Sequence, residues 1–232
     1  MAKDALEKTI LEGVQLLAVL VGNEINAKDM LTSGCPEVLV FLIRTMSDNR
    51  EVVRRALVCL SKLCVTKDQA AELASKGVVV AAVEAMLSRK EDALFQTDVL
   101  RLMVNLAIQE QNAIQLSETA IRGLILCVDN NFASQTFLRM FFLLMSNLSM
   151  WPKASKHLID AGLIRVVVDT LKASVNFPIL LVKMIKVLTN FILVGETAKR
   201  ELIREGALAI VREMTQIHGK HIQLSKVIRF AL

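Results

Sequence analysis

The chain has 232 residues, 53% of them hydrophobic, and a net charge of +5 from 28 basic and 23 acidic side chains; its mean hydropathy is +0.47 and its pI about 9.1. A membrane span needs about 18 apolar residues without charge, and the longest uncharged run, Met140–Pro152, has 13, including two Ser and an Asn. Tyr is absent, and nine Phe and one Trp leave an aliphatic core as the expectation. The four cysteines, Cys35, Cys59, Cys64 and Cys127, have no CxxC spacing and read as reduced core thiols of a cytosolic protein.

In chain order, MAKDALEK is followed by no apolar signal-peptide core, and Ala after Met1 gives no myristoylation signal. Leu6–Val21 reads as one helix. Asn26–Leu31 is a short helix closed by Gly34, and Pro36–Met46 a second with proline at its start, where a missing N–H is harmless. Glu51–Val65 is a third, with Val53, Ala56, Leu57, Leu60, Leu63 and Cys64 inward. The unit from Ser75 to Ala120 repeats this design. Gly77 closes a short helix at a positive-φ cap, Val78–Leu87 is the second helix, and Ser88–Asp92 is a polar turn. Leu94–Gln109 is a longer helix with Leu94, Val99, Leu102, Met103, Leu106 and Ala107 on its apolar stripe.

Asn112–Leu116, Ala120–Val128 and Ser134–Met150 make the next triplet, and Pro152–Ala161, Leu163–Leu171 and Pro178–Val194 the one after it. Thr197–Glu205 and Ala207–His218 precede Ile222–Leu232, which reads as the opening of another long helix. The uneven ends suit a fragment of a longer chain or an array with irregular caps. KDALEKTILEG can supply a polar outer face at the front, whereas VIRFAL is a poor cap at the back.

Two ladders share one period. Asn105, Asn147 and Asn190 are 42 and 43 residues apart, and the leucine after the first of them, Leu106, has counterparts at Leu63 and Leu20. Gly34, Gly77, Ala120, Gly162 and Gly206 follow at 43, 43, 42 and 44. A period in the low forties marks a helical solenoid, one unit in which each repeat packs only on its neighbours.

The segments SKGVVVAAVEAML, VLRLMVNLA, DAGLIRVVVDTL and REGALAIVREM resemble armadillo repeats. HEAT repeats, the competitor, lack the glycine followed by an apolar helix. The resemblance covers nearly the whole chain and implies an all-α, right-handed α-solenoid over residues 1–232, with about four full repeats and partial terminal ones. It implies that third helices line a concave groove and that Asn105, Asn147 and Asn190 face it, where an amide can pair with the backbone of an extended peptide. The matching Lys62 and Val19 depart from that pattern. The alternative is that these amides satisfy local backbone groups.

Residues four and seven before the Asn share its helix face. The rungs are then Glu12 and Gln15; Arg55, Val58 and Lys62; Asp98, Arg101 and Asn105; Met140, Leu143 and Asn147; Lys183, Lys186 and Asn190; and Lys226 and Arg229. Seven are basic and two acidic, a balance that favours acidic ligands, while Met140 and Leu143 offer an apolar seat. Solvated faces of ordinary amphipathic helices are the competing reading.

In the import adaptors of the armadillo family a Trp lies four residues before the groove Asn. Here those positions are Arg101, Leu143 and Lys186, and the lone Trp151 ends a helix at the groove rim. The resemblance therefore implies a catenin-like, non-catalytic scaffold or adaptor, in the cytoplasm or at the cytosolic face of an organelle, holding an acidic or mixed extended or helical segment of a protein partner. Two further readings by resemblance are an organelle tether, acylated through an N-terminal extension and linked to a motor, and a nucleotide-exchange regulator of an Hsp70-type chaperone. Nucleic acid is a weaker alternative: stacking aromatics and dense Lys/Arg clusters are missing. With scattered glycines, no nucleophile motif, and only His218 and His221 closely spaced, no catalytic residue, cofactor, metal or small-molecule substrate is expected.

Overall fold

The structure, a computed structural model, describes residues 2–174 and 177–218. Among them are fifteen α-helices and no strand. A lone helix α1 (Ala2–Leu20) is followed by the triplet α2 (Glu24–Thr32), α3 (Cys35–Thr45) and α4 (Arg50–Leu63). The next triplets are α5 (Lys67–Ser75), α6 (Val78–Ser88) and α7 (Ala93–Leu106), then α8 (Glu110–Thr119), α9 (Ile121–Asn131) and α10 (Gln135–Leu148). The fourth is α11 (Pro152–Asp160), α12 (Leu163–Ala173) and α13 (Pro178–Val194), and α14 (Glu196–Arg204) and α15 (Ala207–His218) end the described chain. The long helix expected at Ile222–Leu232 lies outside the described residues.

Local chemistry fixes these boundaries. The third helices α4, α7 and α10 start on Asn49, Asp92 and Ser134, whose side chains accept from the backbone N–H groups of Val52, Phe95 and Phe137. Thr66 and Gln69 form a reciprocal capping box on α5, and the prolines open α3, α11 and α13 as expected. The glycine ladder marks the left-handed turn into each second helix: Gly34, Gly77 and Gly162 have φ of 83°, 81° and 84°. Ala120 is the exception. Its rung is entered at φ −104° and ψ −25°, which alanine adopts freely.

A Cβ on Gly77 would meet nothing within 4 Å, so the cost of alanine there is conformational alone. Gly77→Ala is expected to destabilise by about 1–2 kcal/mol. Gly13→Ala, inside α1 with equal space and ordinary φ, is expected to stabilise by up to about 1 kcal/mol. Denaturant midpoints of the two variants should move in opposite directions.

The helices divide between two compact units, residues 1–116 and 117–232. In the first, α4 lies between α1 and α7, with α3 against α4 and α6. Its expected inward residues, Val53, Ala56, Leu57, Leu60, Leu63 and Cys64, are all buried. On α7 the stripe holds except at Leu94, which is 66% exposed while Phe95 is buried. Four residues separate Phe95 from Val99, about 40° around a helix, whereas the five from Leu94 carry it well off the stripe.

In the second unit α13 packs against α10, α11, α12 and α14. Its core is more aromatic than expected: Phe137, Phe141, Phe142 and Phe191 are fully buried, and the Phe141 and Phe142 rings meet edge to face at 5.0 Å. All four cysteines are buried thiols outside any disulfide. Burial pushes the Cys64 thiol up to about 12.

Candidate functional site

Many polar side chains on the third helices find their partners one period away. In the first unit Lys62 Nζ donates to Ala18 O at 2.6 Å and Asn105 Nδ2 to Ser61 O at 2.9 Å. Both acceptors lie in the last turn of the preceding third helix, where the helical ladder runs out; Ser61 O also takes the Cys64 N–H at 3.4 Å. Lys62 departs from asparagine in type but performs the same cross-repeat contact on a longer arm. In the second unit Asn190 Nδ2 reaches Ser149 Oγ, beside the end of α10, at 2.9 Å. The amide donors of Asn105 and Asn190 are therefore engaged within the protein, and each Oδ1 accepts nothing from the described residues.

The cations of the first unit are largely engaged too. Arg50 Nη2 meets Asp92 Oδ1 at 3.0 Å, and Arg54 Nε meets Asp98 Oδ2 at 2.8 Å, both between α4 and α7. The hydrogen bond from Arg50 holds the Asp92 carboxyl below its usual range against the opposing effect of burial. Arg44 pairs with Glu84 from α3 to α6 at 2.8 Å, and Arg55 with Glu51 on its own helix at 2.8 Å. Arg101 is more open than these arginines, with only a 4.0 Å approach to Asp98. Asp98, expected beside it on the groove, is instead buried in the α4–α7 seam. Its carboxylate is held by Arg54 of the neighbouring helix, a partner that spacing along α7 does not supply.

The second unit differs. Arg139 on α10 and Lys183 and Lys186 on α13 have no hydrogen-bond or ion-pair partner among the described residues. Burial lowers the Lys183 pKa, and the fields of Lys186 and Arg139 lower it further. Met140, Leu143 and Asn147 are half-buried on α10, and Ile179 and Leu193 are exposed on α13. A cleft of about 180 Å³ lies between the helix starts, lined by Gln135, Arg139, Phe177, Pro178, Ile179 and Leu180. Sequence reasoning missed Arg139 because it is eight residues before Asn147. Its 44-residue spacing from Lys183 was the available signal. Lys226 and Arg229, the last expected rung, lie outside the described residues.

Among the described residues no group of three His, Cys, Asp or Glu is placed to hold a metal ion, and no helix is long and apolar enough to cross a membrane. His157 is accounted for by Ser117 Oγ, 2.9 Å from Nδ1, and by Glu118 Oε1, 3.6 Å from Nε2. His218 begins a pair whose second member, His221, lies outside the described residues.

No protein-family model matches this chain, and no curated protein does. Solved structures match its fold. A designed armadillo repeat protein is 16% identical with a TM-score of 0.82, over 96% of this chain and 91% of that one. Another, in complex with the peptide (KR)4, is 18% identical with a TM-score of 0.79, over 95% and 89%. A structure from work on a phosphorylation switch controlling the interaction between cadherin and beta-catenin is 19% identical with a TM-score of 0.82, over 97% of this chain and 44% of that one. The fold is thus the all-α solenoid of armadillo-repeat proteins, with four complete helix triplets among the described residues.

Proposed function

We propose that this chain is a non-catalytic protein-binding scaffold that holds an acidic or mixed segment of a partner on its third helices, with the α10–α13 face of the second unit as the principal anchor. The observation that carries this reading is the set of three cations, Arg139, Lys183 and Lys186, left without acidic partners while most cations of the first unit have them. Clustered like charges raise the energy of the empty face, and an acidic ligand relieves it. Met140 and Leu143 beside them supply apolar area for a mixed sequence. One solved neighbour is described in complex with a peptide, and another comes from work on the interaction between cadherin and beta-catenin. The peptide (KR)4 is basic, and the free cations here favour the opposite sign. Buried thiols suit a reducing cytoplasm.

The test is binding of a fluorescein-labelled extended peptide of alternating Glu and Leu to the whole chain. Affinity should fall with rising salt, and reversal of Arg139, Lys183 and Lys186 to Glu should abolish it. The same reversal at Arg55 should change it little. The pH dependence has a definite sign. The protonated Lys183 amine is the form that holds an anion, and its pKa is lowered from 10.5. Affinity should therefore decline as pH rises through that lowered value, and the reversed variant should lack this step. Equal binding by wild type and reversed variant at both low and high salt would remove the face from consideration.

A further inference from the structure

Two of the four buried thiols meet inside the first unit. Helices α3 and α4 are joined by the four-residue turn 46–49 and pack on each other, and helices joined so tightly run antiparallel. Residues equally far from the turn then face one another. Cys35 lies twelve residues before Ser47, and Cys59 twelve after it. Each belongs to a buried stripe at helical spacing: Cys35, Leu39 and Ile43 on α3, and Val52, Ala56 and Cys59 on α4. The Cys59 thiol donates a hydrogen bond to the Cys35 sulfur, so the two side chains stand in direct contact.

That contact divides their roles. The hydrogen bond from Cys59 holds the Cys35 pKa below its usual value, against burial and the charge of Glu37 and with the help of Lys76. Lys76 is fixed beside α3 by Glu37 Oε1 at 3.3 Å. The same hydrogen bond, and then burial, push the Cys59 thiol up. One sulfur is thus suited to attack as thiolate and the other to follow it. We propose that Cys35 and Cys59 are a redox pair: a peroxide closes them to a disulfide, and thiol reductants reopen it. The Cys35 thiolate attacks one oxygen of hydrogen peroxide, the O–O bond breaks, and the departing oxygen takes up a proton to leave as water. The Cys59 sulfur then attacks the sulfenic acid on Cys35. The S–S bond forms, the S–O bond breaks, and the Cys59 proton leaves with the hydroxide as a second water. Two thiols and one peroxide give one disulfide and two waters, with two electrons passing from sulfur to oxygen. Hydrogen peroxide is little larger than water and reaches the pair through local opening of the hairpin. In a reducing compartment the pair rests as thiols and closes only transiently. The bridge fastens the end of the hairpin opposite its turn, where α3 begins at the left-handed Gly34.

The test is hydrogen peroxide added to the whole reduced chain, quenched at intervals with N-ethylmaleimide in denaturant and read by intact mass and a non-reducing peptide map. Cys64, raised to about 12 by burial, and the fully buried Cys127 are the internal comparisons. The wild type should lose two hydrogen atoms, the map should join the Cys35 peptide to the Cys59 peptide, and dithiothreitol should restore both thiols. In the folded chain the pair should close at least about tenfold faster than Cys64 or Cys127 is oxidised, and denaturant should erase that preference. Cys59→Ala removes both the second sulfur and the hydrogen bond, so Cys35 should stop at a sulfenic acid that dimedone traps, formed more slowly than the wild-type bridge. Cys35→Ala should leave Cys59 a thiol over the same exposure. If either alanine variant fails to fold, the wild-type map decides alone. Oxidation of Cys64 or Cys127 as fast as the pair, bridges between chains, or Cys35 and Cys59 still thiols after glutathione in the same tube is consumed would each overturn the assignment.

Discussion

Leu106→Asp should remove the cooperative fold of the first unit. Leu106 has no exposed surface, sits at the end of α7, and its backbone carbonyl accepts from Asn112 Nδ2 at 3.2 Å. Truncating a buried leucine to alanine costs about 2–5 kcal/mol. An aspartate adds a carboxylate with no basic partner there, so it either ionises against a low-dielectric surrounding or takes up a proton at a further cost. Domains hold about 5–15 kcal/mol in total, and in a repeat array each repeat depends on its neighbours. The variant is expected to be insoluble or to lose its main unfolding transition, with amide exchange in α4, α6 and α7 rising toward unfolded rates. Leu94→Asp, twelve residues earlier on the same helix but 66% exposed, should move the transition by no more than about 0.5 kcal/mol. If the two variants behave alike, the inner face of α7 is misassigned.

That contrast shows where sequence reasoning reaches and where it stops. The period placed the glycine turns and the inner faces of α4 and α7, because each follows from local backbone chemistry repeated at one spacing. Leu94 slipped because an apolar residue in the first turn fits a stripe by type even when its angle is wrong. Asp98 slipped for a related reason: helix geometry locates a side chain on its own helix but not the arginine on the next. The cross-repeat contacts had left a trace in the chain, since Arg50 and Asp92, Arg54 and Asp98, and Lys62 and Ala18 are one period apart within a residue or two. Reading the period for complementary pairs, as well as for identical residues, would have exposed it. The site was half legible. Lys183 and Lys186 stood out by charge, but only the packed helices separate a free cation from one already held by a neighbour.

The Arg54–Asp98 pair is where that distinction has its largest measurable consequence. Arg54→Ala should destabilise by about 2–3 kcal/mol, because it strands a carboxylate whose side chain is only 10% exposed and whose next cation, Arg101, is 4.0 Å away. Asp98→Ala should cost less, about 1 kcal/mol, since the Arg54 side chain is 29% exposed and keeps Glu51 at 3.3 Å. For a chain of this size, each kcal/mol moves the melting temperature by roughly 2–4 °C, so the two variants should be resolved in a single thermal series. Neither should weaken the acidic Glu/Leu peptide at the α10–α13 face at temperatures where both are folded. Reversal of Arg139, Lys183 and Lys186 should do the opposite, since Arg139 and Lys186 are exposed, Lys183 is only half-buried, and surface charges without partners contribute about 0–1 kcal/mol to stability yet set the rate and salt dependence of association. Seam cations would then govern melting and leave binding intact, while face cations would govern binding and leave melting intact. Loss of peptide binding in Arg54→Ala at full folding would show that seam and face cannot be separated, and the ligand would then have to be sought on α4 and α7 as well.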